Sequence, residues 1–225
     1  MSIIDRQAVI DKLMRLGLTR QEAIIYLHLF ENNELTGYEA AKLTGISRSN
    51  VYGALASLTD KGAAYVVEGA ATKYTPVPVE ELCSNRIREI QETKEYLLSH
   101  MPKATDVYDG YITIDGYKHI LDKIKNMLSS AKERIYLSIS TRNVKAIEKE
   151  LYRLPEKGVK VVIITDDSLE LPGAVVYITD SRQEQIRLIT DSKYVLTGDV
   201  SGDDNDTCLY SGQSNFVNVF KEALR

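Results

Sequence analysis

Two tetrapeptides of the form T-x-x-E, Thr19-Arg-Gln-Glu22 and Thr36-Gly-Tyr-Glu39, constrain the N-terminal part of this chain more than any other feature. Each is a capping box. The threonine hydroxyl accepts from the amide three residues on and the glutamate reaches back to the threonine N–H, so a helix starts at each. Spacings of four and three put Ala23, Leu27 and Phe30 on one face of the first helix, and Ala40 and Leu43 inward on the shorter second. Thr44-Gly45-Ile46 then reads as a tight turn, Ser47 as the cap of a third helix and Gly62 as its left-handed end. The order is that of a helix-turn-helix.

On the third helix Val51, Leu55 and Leu58 share one side, while Ser49, Tyr52, Gly53 and Ala56 lie opposite with Arg48 at the edge. A small, polar outward face lets a helix backbone approach base edges, and it is equally the solvated face of an ordinary bundle helix. The next segment separates the two readings. Residues 64–76 hold two β-favouring runs around Glu68-Gly69, a hairpin directly after the third helix, and Lys73 on it is placed to meet backbone phosphate. This is the layout of a winged helix.

Charge does not oppose that reading. The chain carries a net charge of −4, but residues 1–78 hold 8 Lys+Arg against 8 Asp+Glu, residues 79–104 hold 4 against 5, and residues 105–225 hold 16 against 19. Phosphate affinity depends on cations that converge on one face, not on the total. Cys83 and Cys208 are too few and too far apart for a disulfide framework or a paired-cysteine metal site. No stretch approaches the roughly 20 apolar residues of a membrane span, so a cytoplasmic location is expected.

In these residues the chain resembles the TrmB-like transcriptional regulators. The resemblance rests on Leu16-Gly-Leu-Thr19, Glu22-Ala23, Tyr26-Leu27, Gly45-Ile46, Arg48, Val51-Tyr52, Leu55, Leu58, Lys61-Gly62, Lys73-Tyr74 and Val77-Pro78. It implies binding of double-stranded DNA through the third helix, with Arg48, Ser49, Asn50 and Tyr52 as candidate contacts there and Lys73 as the contact from the wing. The small Gly53 and Ala63 depart from the pattern.

A long helical stretch follows Pro78. Its apolar positions Cys83, Ile87, Ile90, Leu97 and Met101, with Lys94 in the remaining place, are spaced four, three, four, three, four. That is the seam of a coiled coil with one polar intrusion, and Ile87, Ile90, Lys94, Leu97 and Met101 are the candidate dimerisation residues. The alternative is that the helix packs on its own winged helix. A homodimer suits two recognition helices on neighbouring half-sites of a pseudo-palindromic operator.

From Gly110 the pattern changes to strands alternating with helices: strands at 111–114, 134–139 and 159–165, helices at 117–130 and 143–156, further strands around Val175, Ile186, Tyr194 and Leu209, and a last helix at 215–224. This part resembles the phospholipase D-like domain carried by TrmB-like regulators. Active members of that superfamily have H-x-K-x-x-x-x-D with a glycine seven residues on. Asp191 and Gly198 match, whereas Glu184 stands in the histidine position and Ile186 in the lysine position. The phosphoryl nucleophile and its charge-neutralising partner are both absent, so the domain is expected to be catalytically inactive. Glu184 and Asp191 are the expected lining of a surviving cleft that would take a cationic or neutral polar effector.

His28, His100 and His119 fall on separate helices without ligand-type neighbours, and the Gly202-Asp-Asp-Asn-Asp206 run reads as a turn ahead of a cation loop. No cofactor or metal is expected. The fold class is α+β multidomain: a winged helix-turn-helix over residues 1–78, a linker or dimerisation helix over 79–104, and an α/β phospholipase D-like dimerisation or effector domain with a mixed sheet over 105–225. The expected function is that of a homodimeric, sequence-specific DNA-binding transcriptional regulator with a possible small-molecule effector. The alternatives are a dimeric phosphodiesterase-like enzyme and a winged helix used for protein interaction. The larger TrmB-like regulators carry a sugar-binding domain after this one, for which the sequence offers no room, so a sugar effector is not expected by analogy.

Overall fold

The structure is a computed structural model that describes residues 5–102, 110–179 and 185–223. The chain divides after Lys103 into two compact units.

The N-terminal unit runs α1 (Arg6–Arg15), α2 (Arg20–Asn32), β1 (Leu35–Thr36), α3 (Gly37–Thr44), α4 (Arg48–Asp60), β2 (Ala64–Val67), β3 (Lys73–Pro76) and α5 (Val79–His100). Both capping boxes close. The Thr19 N–H donates to Glu22 Oε2 at 2.7 Å and the Thr36 N–H to Glu39 Oε2 at 2.8 Å, while each threonine hydroxyl accepts from the amide three residues on. At the far end of α4 the Gly62 N–H bonds the Thr59 carbonyl and the Ala63 N–H the Leu58 carbonyl. With Gly62 at φ +65° this is a Schellman stop, which requires a residue tolerant of the left-handed region.

Several local expectations are corrected. Ser47 sits at the cap of α4, but its hydroxyl makes no bond to the helix amides and lies 3.4 Å from Ser49 Oγ. Phe30 and Leu43 are exposed. Ala23 is buried as expected, and the rest of the inward face of α2 is Glu22, Ile25, Tyr26 and Leu29, because contacts with α1, α3 and α4 turn the helix toward those residues. Helix α1, not foreseen, adds Ile10 and Leu13 to the core. The two-residue β1, also unforeseen, pairs with β3 and makes the wing a three-stranded sheet in the order β1-β3-β2.

Glu22 is a buried carboxylate, and burial pushes its pKa up. The Lys61 ammonium at 2.7 Å, the Thr19 amide and Ser57 outweigh that and leave it below its ordinary value. The same ammonium donates to the Gly17 carbonyl at 3.0 Å, so one lysine clamps the end of α4 onto the α1–α2 turn.

The C-terminal unit holds β4 (Tyr111–Asp115), α6 (Tyr117–Ser130), β5 (Arg134–Ser138), α7 (Thr141–Val144), α8 (Glu148–Glu156), β6 (Lys160–Thr165), β7 (Ala174–Ile178), β8 (Gln185–Thr190), β9 (Tyr194–Asp199), β10 (Thr207–Ser211) and α9 (Ser214–Ala223). Its seven strands are ordered β4-β10-β9-β8-β5-β6-β7, with β5, β6 and β7 parallel to their neighbours among themselves and every other pairing antiparallel. Helices α6 and α8 pack on the face that carries Ile135, Leu137, Val161, Ile163, Ile186 and Leu188. Helix α9 covers the other face at Ile189 and Val195.

The single helix expected at 143–156 is two. Thr141 is held by Asp166 through both its amide and its hydroxyl, each at 2.8 Å, and the buried Asn143 side chain donates to the Val200 carbonyl at 2.6 Å. Those anchors pin α7, and the chain bends before α8 starts.

Candidate nucleic-acid interface

Helix α4 buries Val51, Ala54, Leu55 and Leu58 and leaves Arg48, Ser49, Asn50, Tyr52, Gly53 and Ala56 exposed. Two of these are held in place by α3. The Arg48 guanidinium lies over the Tyr38 ring at 4.6 Å from its centroid, a cation–π contact that fixes a long side chain beside the start of α4. The Tyr52 ring lies on the backbone of Gly37, where an added Cβ would come within 2.5 Å of Tyr52 Cε1. A side chain at position 37 would displace the ring from this place. Tyr38 and Tyr52 both stay about half exposed (52% and 51%), so the rings are oriented without being withdrawn from solvent.

Lys42 on α3 is exposed. Among the described residues no carboxylate lies within ion-pair distance of Lys42 or Arg48. Lys73 is different. It opens β3, opposite Thr36, and its ammonium meets Glu34 Oε1 at 2.5 Å. That hydrogen bond and the adjacent charge raise its pKa above the ordinary value. The wing cation is therefore already engaged by a carboxylate.

Gly37, Tyr38 and Lys42 were missed in the sequence. The signal was the second capping box, which places Gly37 and Tyr38 in the first turn of α3; what it could not show is that this turn lies against the first turns of α4.

On α5, Leu82 is buried in the N-terminal core and Cys83 is half-buried. Tyr65 on β2 donates to Glu81 Oε1 at 2.8 Å, and Arg86 Nη2 donates to the Lys61 carbonyl at 3.2 Å. Packing on the unit's own winged helix ends there. Ile87 and Ile90 are each 68% exposed, Met101 63% and Leu97 48%, and Lys94 is exposed between them.

The motif remnant in the C-terminal unit is also placed. Asp191 follows β8 in the turn to β9, at φ +52°. Its carboxylate accepts from the amides of Lys132, Glu133 and Arg134 at 3.0, 2.8 and 3.0 Å. Burial pushes its pKa up, and those three amides bring it below the ordinary value. Gly198 lies against β10, where a Cβ would sit 2.6 Å from Cys208 Cα. Ile186 is wholly buried in the sheet core.

Glu184 lies outside the described residues. The expected cleft shared by Glu184 and Asp191 therefore falls outside the described residues on the Glu184 side, while the Asp191 oxygens are engaged by the backbone leading into β5. The Asp-rich run is a turn between β9 and β10, in which Asp206 accepts from Ser201 Oγ at 2.6 Å and the Gly202 amide at 2.9 Å. Among the described residues no His, Cys, Asp and Glu side chains cluster as a metal site would require. No described helix is long and apolar enough to cross a membrane.

Comparison with known proteins agrees with this layout. The family described as "Sugar-specific transcriptional regulator TrmB" matches residues 13–80, and "Transcriptional regulator TrmB, EBD N-terminal subdomain" matches residues 110–222. The chain belongs to the TrmB family. It is a DNA-binding transcriptional regulator with a C-terminal unit built on a mixed sheet. The uncharacterized protein YrhO of Bacillus subtilis (strain 168) is 35% identical over 205 residues, covering 89% of this chain and 73% of that protein. The HTH-type sugar sensing transcriptional regulator TrmBL1 of Pyrococcus furiosus is 26% identical over 141 residues, 59% of this chain and 40% of its own length. Among solved structures, the archaeal chromatin protein TrmBL2 aligns over 98% of this chain and 96% of its own, at 22% identity and a TM-score of 0.41. NucT from Helicobacter pylori aligns over 51% of this chain and 92% of its own, at 16% identity and a TM-score of 0.44.

For this TrmB-family chain the two residues that match the phospholipase D-like sequence pattern, Asp191 and Gly198, both have structural work, and position 186 is a core isoleucine.

Proposed function

We propose that this chain binds duplex DNA sequence-specifically as a homodimer, with α4 in the major groove, and that its C-terminal unit has no phosphodiesterase activity and serves dimerisation and effector sensing. The observation that carries the reading is the first half of α4. It presents Arg48, Ser49, Asn50 and Tyr52 to solvent, with Arg48 and Tyr52 oriented by Tyr38 and Gly37, while the opposite side is core. An oriented guanidinium without a carboxylate partner is suited to bidentate contact with a guanine edge. Lys42 supplies a phosphate contact nearby, and Lys73 another once it is shared with Glu34.

The bare apolar positions Ile87, Ile90, Leu97 and Met101 support pairing of α5 with a second copy, with Lys94 limiting register. The operator is then a pseudo-palindrome whose half-sites lie about 34 Å apart or a multiple of that. Enzymatic inactivity is supported by the core position of Ile186, which leaves no cation where the parent chemistry holds phosphate.

A small polar effector would meet Ser138, Thr165, Asp166 and Thr179 in a crevice at the carboxyl ends of β5 and β6. As it stands the crevice has no room even for a water molecule, so binding there entails opening.

Selection from a random duplex library followed by footprinting tests the reading. Paired protections one or more helical turns apart are expected. Failure to enrich any sequence, or a monomer occupying a lone half-site at full affinity, would overturn it, and turnover of a model phosphodiester would overturn the inactive assignment.

A further inference from the structure

Resting on the DNA-binding reading above, we propose that Arg86 is a positioning residue that ties the tilt of the recognition helix α4 to the dimer helix α5. Arg86 stands on α5 between buried Leu82 and the first bare seam residue, Ile87. Its guanidinium is divided between two partners: Nη2 donates to the Lys61 carbonyl at 3.2 Å, and Nη1 meets Glu89 Oε2 at 2.5 Å. Its Nε is buried and has no hydrogen-bond partner.

Lys61 is the C-cap of α4. A cation there faces the partial negative charge of the helix end and satisfies a carbonyl that has no partner within the helix. The same residue sends its ammonium to Glu22 and to the Gly17 carbonyl. The end of α4 is thus gripped from one side by the α1–α2 turn and from the other by α5. The wing is tied to α5 as well, through Tyr65 and Glu81 at 2.8 Å.

A helix gripped at its C-terminal cap and reading DNA with its first turns acts as a lever. The 13 residues of α4 span about 20 Å. A tilt of about 3° at Lys61 therefore moves Arg48 by about 1 Å. Bidentate base contacts require hydrogen bonds within a few tenths of an ångström of their optimum, whereas phosphate contacts by flexible cations do not. Loss of the Arg86 bond should accordingly reduce discrimination between sequences and leave general DNA affinity intact. Ile87 follows Arg86 on α5, so a second copy packed on the seam holds the helix from which that guanidinium extends.

The test uses the full chain, a duplex recovered by library selection and a scrambled duplex of equal length. Arg86→Ala should bind the selected duplex about ten-fold more weakly, the equivalent of one hydrogen bond to a charged group, while binding to the scrambled duplex and the dimer mass in sedimentation stay as in wild type. Arg86→Lys keeps the charge on a single nitrogen but not the fork and should fall between the two. Glu89→Gln, at an exposed position that leaves the core untouched, should give a smaller loss of the same pattern and guards against a folding defect in Arg86→Ala. Equal losses on both duplexes, or wild-type discrimination in both Arg86→Ala and Glu89→Gln, would overturn the coupling. If no duplex is enriched at all, the DNA-binding reading itself fails, and this inference with it.

Discussion

The two units of this chain keep their family patterns for opposite reasons. In the N-terminal unit the matching positions on α4 include core residues, Val51, Leu55 and Leu58, and also exposed ones, Arg48 and Tyr52, which two contacts from α3 hold in orientation. In the C-terminal unit both matching positions are internal supports: Asp191 gathers three backbone amides and Gly198 admits the β10 backbone. Residue matches to a motif can therefore stand exposed and oriented in one domain and serve as scaffold in the next. What separates them is where the polar atoms go.

That contrast predicts unequal responses to mutation. Gly198→Ala should have the largest effect, because its Cβ would overlap the Thr207 carbonyl and the Cys208 backbone, which cannot retreat without breaking the β9–β10 pairing. A loss of about 3 kcal/mol or more in chemical denaturation is expected, at the upper end for overpacking. A variant as stable as wild type would remove the scaffold interpretation of the motif.

Arg48→Ala should leave stability unchanged and cost about 1 to 3 kcal/mol in binding to the selected duplex, with relaxed preference at one base. A titration series with single-base variants measures this. Equal loss at every sequence would mean that Arg48 touches phosphate alone.

Acid should separate the units in the same direction. Asp166, Asp191 and Asp206 of the C-terminal unit all lie below their ordinary pKa, Asp166 chiefly through the amide and hydroxyl of Thr141, the other two because donors outweigh the effect of burial. A carboxylate with a depressed folded pKa contributes stability that is complete above its unfolded value, near pH 4, and lost as pH falls through the folded value. The N-terminal unit has Glu22 and the exposed Glu39 of this kind. Between about pH 4 and pH 2 the C-terminal unit should therefore open first. Pepsin digestion of the chain near pH 3, with fragments identified by mass, should return fragments of the N-terminal unit. Survival of the C-terminal unit instead would reverse the comparison.

Lys73→Ala should give the smallest effect. Its ion pair with Glu34 is exposed, so its removal should leave stability as in wild type. The slope of log affinity against log salt should change by less than the value of about 0.9 expected for a fully free phosphate contact. A full unit of slope would show that Glu34 releases the lysine when DNA binds.

The helix starts at Thr19 and Thr36, the stop at Gly62, the inward side of α4 and nearly every strand and helix of the C-terminal unit were legible in the sequence. Each depends on residues a few positions apart, where a capping pair, a left-handed glycine or an apolar period acts through local geometry. Tertiary structure alone decided the rest. The side of α2 that turns inward, the strand β1, the Tyr38 ring under Arg48, the Gly37 backbone under Tyr52, the Glu34 carboxylate on Lys73 and the three amides on Asp191 join segments that sequence spacing does not relate. Asp191 and Lys132 stand 59 residues apart, and only the pairing of β8 with β5 brings that carboxylate to those amides. A residue type states what bonds a side chain can make; the packing of distant elements decides which of them are already taken.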